Sequence, residues 1–156
     1  MAFLENLYGK IDHILPFLID TCVNELNSLH PKQSKKLQSV ILQTLCLCFW
    51  YNAPLTFQIC DPNTLVTCNS EQQPWVFFIF HRLLQSIPSM YCDFEMRRVL
   101  LGLTSIVSQA PSQNLPDLIF QRLPSILNCI SNLSSKVHED RMRQLRAKER
   151  DNNVPQ

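Results

Sequence analysis

Apolar residues recur with a helical period along almost the whole chain. Between Ile11 and Leu26 they follow i, i+3 and i+4 spacings, which place them on one face of an α-helix. The same spacing returns in several later stretches. Only 2 of the 156 residues are glycine, which is too few for a fold that depends on many sharp turns. The sequence therefore predicts an all-α fold.

Prolines and polar breaks divide this pattern into separate helices. Pro16 is expected to kink the first helix or shorten its first turn, and Ser34 is expected to cap the second. Asn52-Ala53-Pro54 should break the second helix, and residues 64–73 are expected to form a surface loop. The predicted helices cover residues 11–30, 35–51, 55–60, 74–86, 94–109 and 116–133, with Pro124 inside the last, and a polar helix over 136–150 follows.

Two recurrences in the sequence indicate a helical repeat. Residues 37–42 match residues 96–101 at a fixed offset of 59, and residues 14–19 recur in outline as 122–127. Helix pairs that recur at intervals of roughly 40–60 residues are typical of HEAT-type solenoids. We therefore predict a right-handed α-solenoid of antiparallel helix pairs with about two and a half repeats. An irregular all-α bundle is the alternative.

Composition and motifs give no sign of catalysis. The formal net charge is +1, so the chain as a whole has no strong electrostatic attraction to nucleic acid or membranes. The 7 cysteines are odd in number, which favours a reducing compartment. Cys46-Leu47-Cys48 lacks the further ligands of a metal site, and glycine-rich phosphate loops and serine-nucleophile motifs do not occur. We therefore expect neither an enzyme nor a bound cofactor or metal, and the apolar runs fall short of the roughly 20 residues of a membrane span.

The charges divide the chain into two parts. Residues 1–135, the predicted HEAT-like domain, carry 8 basic and 9 acidic groups, whereas residues 136–156 carry 6 basic and 4 acidic groups. We predict that the second part is a charged terminal helix with a disordered tail. Its arginines could form a surface for nucleic acid. Intrahelical pairs such as Glu139–Arg143 favour instead a solvated terminal helix.

Three segments resemble a known family in their order and approximate spacing. They are Gly9-Lys10-Ile11-Asp12 with Ile14-Leu15-Pro16-Phe17-Leu18, then Trp50-Tyr51-Asn52-Ala53-Pro54-Leu55, then Met96-Arg97-Arg98-Val99-Leu100-Leu101-Gly102-Leu103. Together they resemble the C-terminal HEAT repeats of importin-β-type nuclear transport receptors, in the importin seven/eight branch, over residues 8–135. That branch ends in an acidic tail, whereas residues 136–150 here are basic.

The resemblance implies transport of cargo proteins between cytoplasm and nucleus. The family binds the Ran GTPase chiefly through N-terminal repeats that have no counterpart here, so cargo proteins and nucleoporins are the implied partners. Such a chain would be a fragment, a truncated product or a short divergent gene product. Two alternatives remain open: a HEAT scaffold or adaptor unrelated to transport, and a helical domain whose tail binds nucleic acid.

Polar residues that interrupt the apolar helices are the candidate partner-binding positions. They are Lys36, Gln43, Glu95, Arg97 and Arg98. In a solenoid, the second helix of each pair lines a concave surface that binds partners. We expect a basic or extended cargo segment to bind these side chains with an affinity that depends on salt.

Overall fold

The computed structural model describes residues 9–29, 35–60, 64–68, 71–90, 92–109 and 117–152. These residues are mostly helical, as the sequence predicts, with one small β-hairpin. A short 3-10 turn, Ile87–Ser89, follows the third helix. The elements are α1 (Leu15–Ser28), α2 (Lys35–Ile59), β1 (Leu65–Cys68), β2 (Glu71–Pro74), α3 (Trp75–Ser86), α4 (Asp93–Ser108), α5 (Asp117–Phe120) and α6 (Leu123–Asn152).

Helix α1 begins at its proline instead of bending around it. Pro16 lies in the first turn, where the missing N–H costs no intrahelical hydrogen bond. Residues 11–14, which the sequence predicts as part of this helix, precede its first turn. The buried face follows the helical spacing of the sequence, with Leu15, Ile19, Cys22, Val23 and Leu26 in the core. The Ser34 cap predicted for the next helix lies outside the described residues.

Helix α2 changes direction at Asn52, as the Asn52-Ala53-Pro54 segment predicts. Asn52 has φ −155° and ψ 85°, which is not helical. Pro54 cannot donate a backbone hydrogen bond. The Thr56 hydroxyl donates instead to the Cys48 carbonyl at 3.0 Å, and the Leu55 N–H donates to Asn52 Oδ1 at 3.2 Å. These two bonds stabilise the kink within the buried part of the helix.

Helix α2 also has the length and mean hydropathy of a membrane-spanning helix. An 18-residue window within Lys35–Ile59 has a mean hydropathy of 1.3, and 61% of it is buried inside the protein. This length exceeds the apolar run expected from the sequence, because the helix continues through the kink. Burial against α1 and α4 is typical of the central helix of a packed helical core.

Residues 65–68 and 71–74 form two paired strands, where the sequence predicts a surface loop over residues 64–73. Strands β1 and β2 are antiparallel, with Val66 opposite Gln73 and Thr67 opposite Gln72. Val66 is buried whereas Leu65 and Thr67 are exposed, which is the alternation of a strand with one covered face. The Asn27 side chain donates to the Thr67 carbonyl at 3.1 Å and thereby ties the hairpin to α1.

Helices α2 and α4 lie side by side and point in the same direction. Ser39 contacts Glu95 and Gln43 contacts Arg98, so α2 and α4 run parallel because their residue numbers rise together. Between α1 and α3, Arg82 Nη2 donates to the Leu26 carbonyl at 3.3 Å. The separation is 56 residues in both the Ser39–Glu95 and the Leu26–Arg82 contacts, three fewer than the offset of 59 between the matching sequence segments.

A glycine allows the close approach of α2 and α4. A Cβ atom at Gly102 would lie 2.6 Å from both the Cβ and the carbonyl oxygen of Cys46, and 2.8 Å from its Cα. Real Cβ atoms do not approach other heavy atoms so closely, so residue 102 must lack one. This pair is again 56 residues apart. Gly102 thus fixes the distance between the two parallel helices at their crossing.

The last predicted apolar helix is divided. The helix expected over residues 116–133 is interrupted after Phe120, and α6 begins at Leu123 with Pro124 in its first turn. Pro124 is therefore a helix-start residue and not an internal one. Helix α6 then continues to Asn152, through the predicted domain boundary at residue 135, with residues 141–149 exposed.

Helix α6 runs antiparallel to α4. Arg97 and Leu100, near the start of α4, lie beside Val137 and Arg141, in the middle of α6. The earlier turns of α6 contain the buried Ile126 and Leu133, so they pack toward the later turns of α4.

Candidate protein-binding surface

Polar side chains join α2 to α4 at the edge of the core. Gln43 is 2% exposed, and its amide donates to Ser39 Oγ at 3.0 Å and to Glu95 Oε1 at 3.3 Å. Arg98 Nη1 donates to Gln43 Oε1 at 3.2 Å, and Ser39 Oγ donates to Glu95 Oε1 at 3.3 Å. These four residues, the α2–α4 network, satisfy one another's hydrogen bonds across the two helices.

The α2–α4 network includes two of the predicted partner-binding residues, Gln43 and Glu95. Gln43 is buried and Glu95 is half-buried, and both bond within the protein. Their polarity in apolar helices therefore reflects an interhelical contact, since a buried amide requires hydrogen-bond partners. Arg98 is exposed, but it contacts Gln43 and lies over the Phe94 ring at 5.4 Å from the centroid.

The other two predicted residues are exposed, at separate places. Lys36 lies in the first turn of α2. Arg97 lies in the first turns of α4, where its Nε is 2.8 Å from Asp93 Oδ2, and its side chain is still 51% exposed. An ion pair this exposed contributes little to stability, typically about 0.3–0.5 kcal/mol along a helix. Arg97 is thus still exposed enough to contact a partner.

A groove lies between the start of α4 and the middle of α6. Its volume is about 310 Å³. Two half-buried apolar side chains, Leu100 and Val137, form its floor. Polar and charged groups surround them, contributed by both helices. The residues of this α4–α6 groove are Arg97, Leu100, Ser134, Val137, His138 and Arg141.

Of these six lining residues, only Arg97 is a predicted partner-binding residue. The change of composition at residue 136 predicts a separate terminal helix that contains Val137, His138 and Arg141. The spacing of the apolar residues nevertheless indicates one continuous helix across that boundary. The residues at helical spacing are Ile126, Ile130, Leu133 and Val137. Val137 therefore belongs to the packed face of α6.

Beyond the groove, α6 exposes a second charged region. Arg143 lies 3.9 Å from Glu139 and 3.8 Å from Asp140, and its side chain is 75% exposed. The Glu139–Arg143 pair expected from the sequence is therefore present. Met142 and Leu145 are also exposed on this part of the helix. Carboxylates close to Arg143 reduce the positive field there.

A smaller cleft separates α3 from α5. Its lining includes Phe77, His81, Ile119 and Arg122. The rings of Phe77 and His81 stack with centroids 6.1 Å apart, and Arg122 lies over Phe77 at 6.0 Å. His81 also shares a hydrogen bond with Gln85 at 2.9 Å. The cleft has a volume of about 60 Å³, so it is large enough for a single small side chain at most.

The cysteines of the core are held as thiols. Burial, followed by repulsion from a neighbouring cysteine, raises the pKa of Cys46 and Cys60 to about 12, and burial likewise raises the pKa of Cys48 to about 12. Because the thiolate is the nucleophile and the metal ligand, these groups are chemically inert at neutral pH. Among the described residues, no group of three or more histidines, cysteines or carboxylates is arranged to hold a metal ion.

Comparison with known proteins adds no relative. No family model, curated protein or solved structure matches this chain.

Proposed function

We propose that the chain is a non-catalytic protein-binding module built as a helical-repeat stack. The observation that carries this proposal is a shared 56-residue separation: the Arg82 side chain of α3 bonds to Leu26 of α1, and Ser39 of α2 bonds to Glu95 of α4. Stacks of this kind present long surfaces formed by successive helices, and their common use is to bind other proteins. Helices α5 and α6 supply the half repeat that would complete a right-handed solenoid of two and a half HEAT-like pairs.

The finer proposal is a segment of a nuclear import receptor, with cargo proteins and nucleoporins as partners. It rests on the resemblance of the three sequence segments to importin-β-type receptors. Those segments are packing and turn residues: Gly102 lies at the α2–α4 crossing, and Asn52 at the kink of α2. A helical scaffold or adaptor unrelated to transport would require the same packing. Function must therefore be tested by binding.

Binding to phenylalanine-glycine repeats separates the transport proposal from the scaffold alternative. We expect the immobilised full chain to retain a purified nucleoporin domain rich in such repeats, with saturation as the concentration of that domain rises. A domain with every repeat phenylalanine changed to serine is the matched control, and it should not be retained. Ran loaded with GTP should not bind, since the resemblance assigns that contact to other repeats.

Two results would overturn the transport proposal. One is equal retention of the phenylalanine and serine domains, and the other is no retention of either above the level of the bare resin. Both would leave the scaffold alternative in place, because that alternative predicts no preference for nucleoporin repeats.

Nucleic-acid binding by the end of α6 is the second candidate. Exposed cations at Arg141, Arg143 and Arg146 favour it. Glu139 and Asp140 lie against Arg143 and weaken the field. A protein partner is the better proposal because the groove combines cations with an apolar floor.

A further inference from the structure

We propose that the α4–α6 groove binds an acidic protein segment that carries an aliphatic side chain. This inference rests on the protein-binding function proposed above and names the chemistry of its partner. It also reverses the sequence-based expectation of a basic segment at Arg97 and Arg98. The groove is lined by arginines from two different helices and by two apolar side chains.

The charges of the groove are suited to carboxylates. Helix α4 contributes Arg97 to the groove, and α6 contributes Arg141. Arg97 has one carboxylate neighbour, Asp93, and remains 51% exposed. Among the described residues, no carboxylate forms an ion pair with Arg141. Arginine presents several N–H donors in a planar array that fits a carboxylate at two points. Two such groups, one from each helix, would bind acidic side chains of one extended segment.

The floor of the groove distinguishes a protein segment from other polyanions. Leu100 and Val137 are half-buried and line the same groove as the charged residues. Covering such a surface with an aliphatic side chain removes apolar area from water, which is favourable. A nucleic acid would contribute phosphates and flat bases, and the described lining residues include no phenylalanine, tyrosine or tryptophan on which a base could stack. An acidic peptide with a leucine could pair its carboxylates with the arginines and cover the apolar floor with the leucine.

Fluorescence anisotropy with a labelled peptide tests this inference. The probe is a twelve-residue peptide of glutamates, aspartates and glycines around a central leucine. We expect saturable binding at low salt that weakens as salt rises, because the arginines are solvent-exposed. R97Q combined with R141Q should weaken binding by about fivefold or more, since each exposed charge pair contributes modestly. Replacing the leucine of the peptide by serine should also weaken binding.

The matched control removes the same charge elsewhere on α6. R143Q combined with R146Q also lowers the net charge by two, but neither residue lines the groove. We expect it to change the affinity by at most about twofold, because only the longer-range field is altered. Circular dichroism and urea titrations of all variants confirm that each is folded.

Three results would overturn the inference. They are equal losses of affinity in the two double variants, no effect of replacing the leucine by serine, and equal or tighter binding of a single-stranded DNA of matched charge. The nucleoporin-repeat experiment uses an uncharged phenylalanine-rich probe. Failure of the acidic peptide with success of that probe would therefore reject the groove inference alone.

Discussion

Replacing Gly102 by valine is expected to lower the free energy of unfolding by about 3 kcal/mol or more. The cause is steric: any Cβ at residue 102 falls within 2.8 Å of three Cys46 atoms, and two of these belong to the backbone. A backbone segment in the middle of a helix cannot rotate away as a side-chain tip can. The two parallel helices must therefore separate, and the packing of Val99, Leu103 and Ile106 along α4 will be lost with them. Urea denaturation followed by circular dichroism measures the change.

Thr104→Val is the control for Gly102→Val. It places the same β-branched side chain on the same helix, two residues away, at an exposed position. Surface substitutions of this kind usually change stability by less than about 0.5 kcal/mol. Gly102→Ala should fall between the two variants, because a single methyl group already overlaps Cys46. Equal stability of the Gly102→Val and Thr104→Val variants would contradict the close crossing of α2 and α4.

Phe49→Ala is expected to destabilise the protein by about 3–5 kcal/mol. Phe49 is 1% exposed, and its ring centroid lies 5.0 Å from that of Phe57 and 6.0 Å from that of Phe80. It therefore connects the part of α2 beyond the kink to α3. Its removal leaves a cavity between rings that are held by different elements and cannot easily close. Urea denaturation again provides the measurement.

Phe17→Ala is the matched control for Phe49→Ala. It deletes the same side chain from a residue of α1 that is 74% exposed. We expect a change within about 0.5 kcal/mol. If the two alanine variants were equally stable, the core would not contain the aromatic contact between α2 and α3.

The helical pattern of the sequence predicts most elements, because one-sided apolar spacing follows directly from burial. The face of α1 from Leu15 to Leu26 and the break at Asn52 are examples. Positions that depend on a distant partner were not predictable. Gly102 lies inside a helical pattern, and its importance follows from Cys46, 56 residues earlier. No local property of either residue indicates that the two helices touch there.

The two short strands, β1 and β2, are hard to predict from the sequence for a different reason. Strands of 4 residues each are too short for alternation to stand out against the long helical pattern around them. They become stable because α1 and α3 provide contacts, including the bond from Asn27 to Thr67. The β-strand propensity of their residues alone gives two such short strands little stability in water.

The candidate site was predicted only in part, for a physical reason. An isolated polar residue in an apolar helix can face a partner or bond to a neighbouring helix, and the sequence does not distinguish these. Gln43 and Glu95 bond to a neighbouring helix, whereas Arg97 faces a groove. The other arginine of that groove, Arg141, comes from a helix whose composition suggested a separate tail. Only the antiparallel packing of α6 on α4 brings the two arginines together.

The most direct test of the account is the direction in which α2 and α4 run past each other, since the repeat stack depends on it. Spin labels on unnatural side chains can be placed at Val40 with Arg97, and at Val40 with Thr104, all of which are exposed. Residues 97 and 104 are two turns apart on one side of α4, or about 10 Å along its axis. Double electron–electron resonance should give a clearly shorter distance for the pair 40–97 than for 40–104. A shorter distance for 40–104 would mean that the helices are antiparallel, and would contradict the stacked-pair architecture on which the proposed function rests.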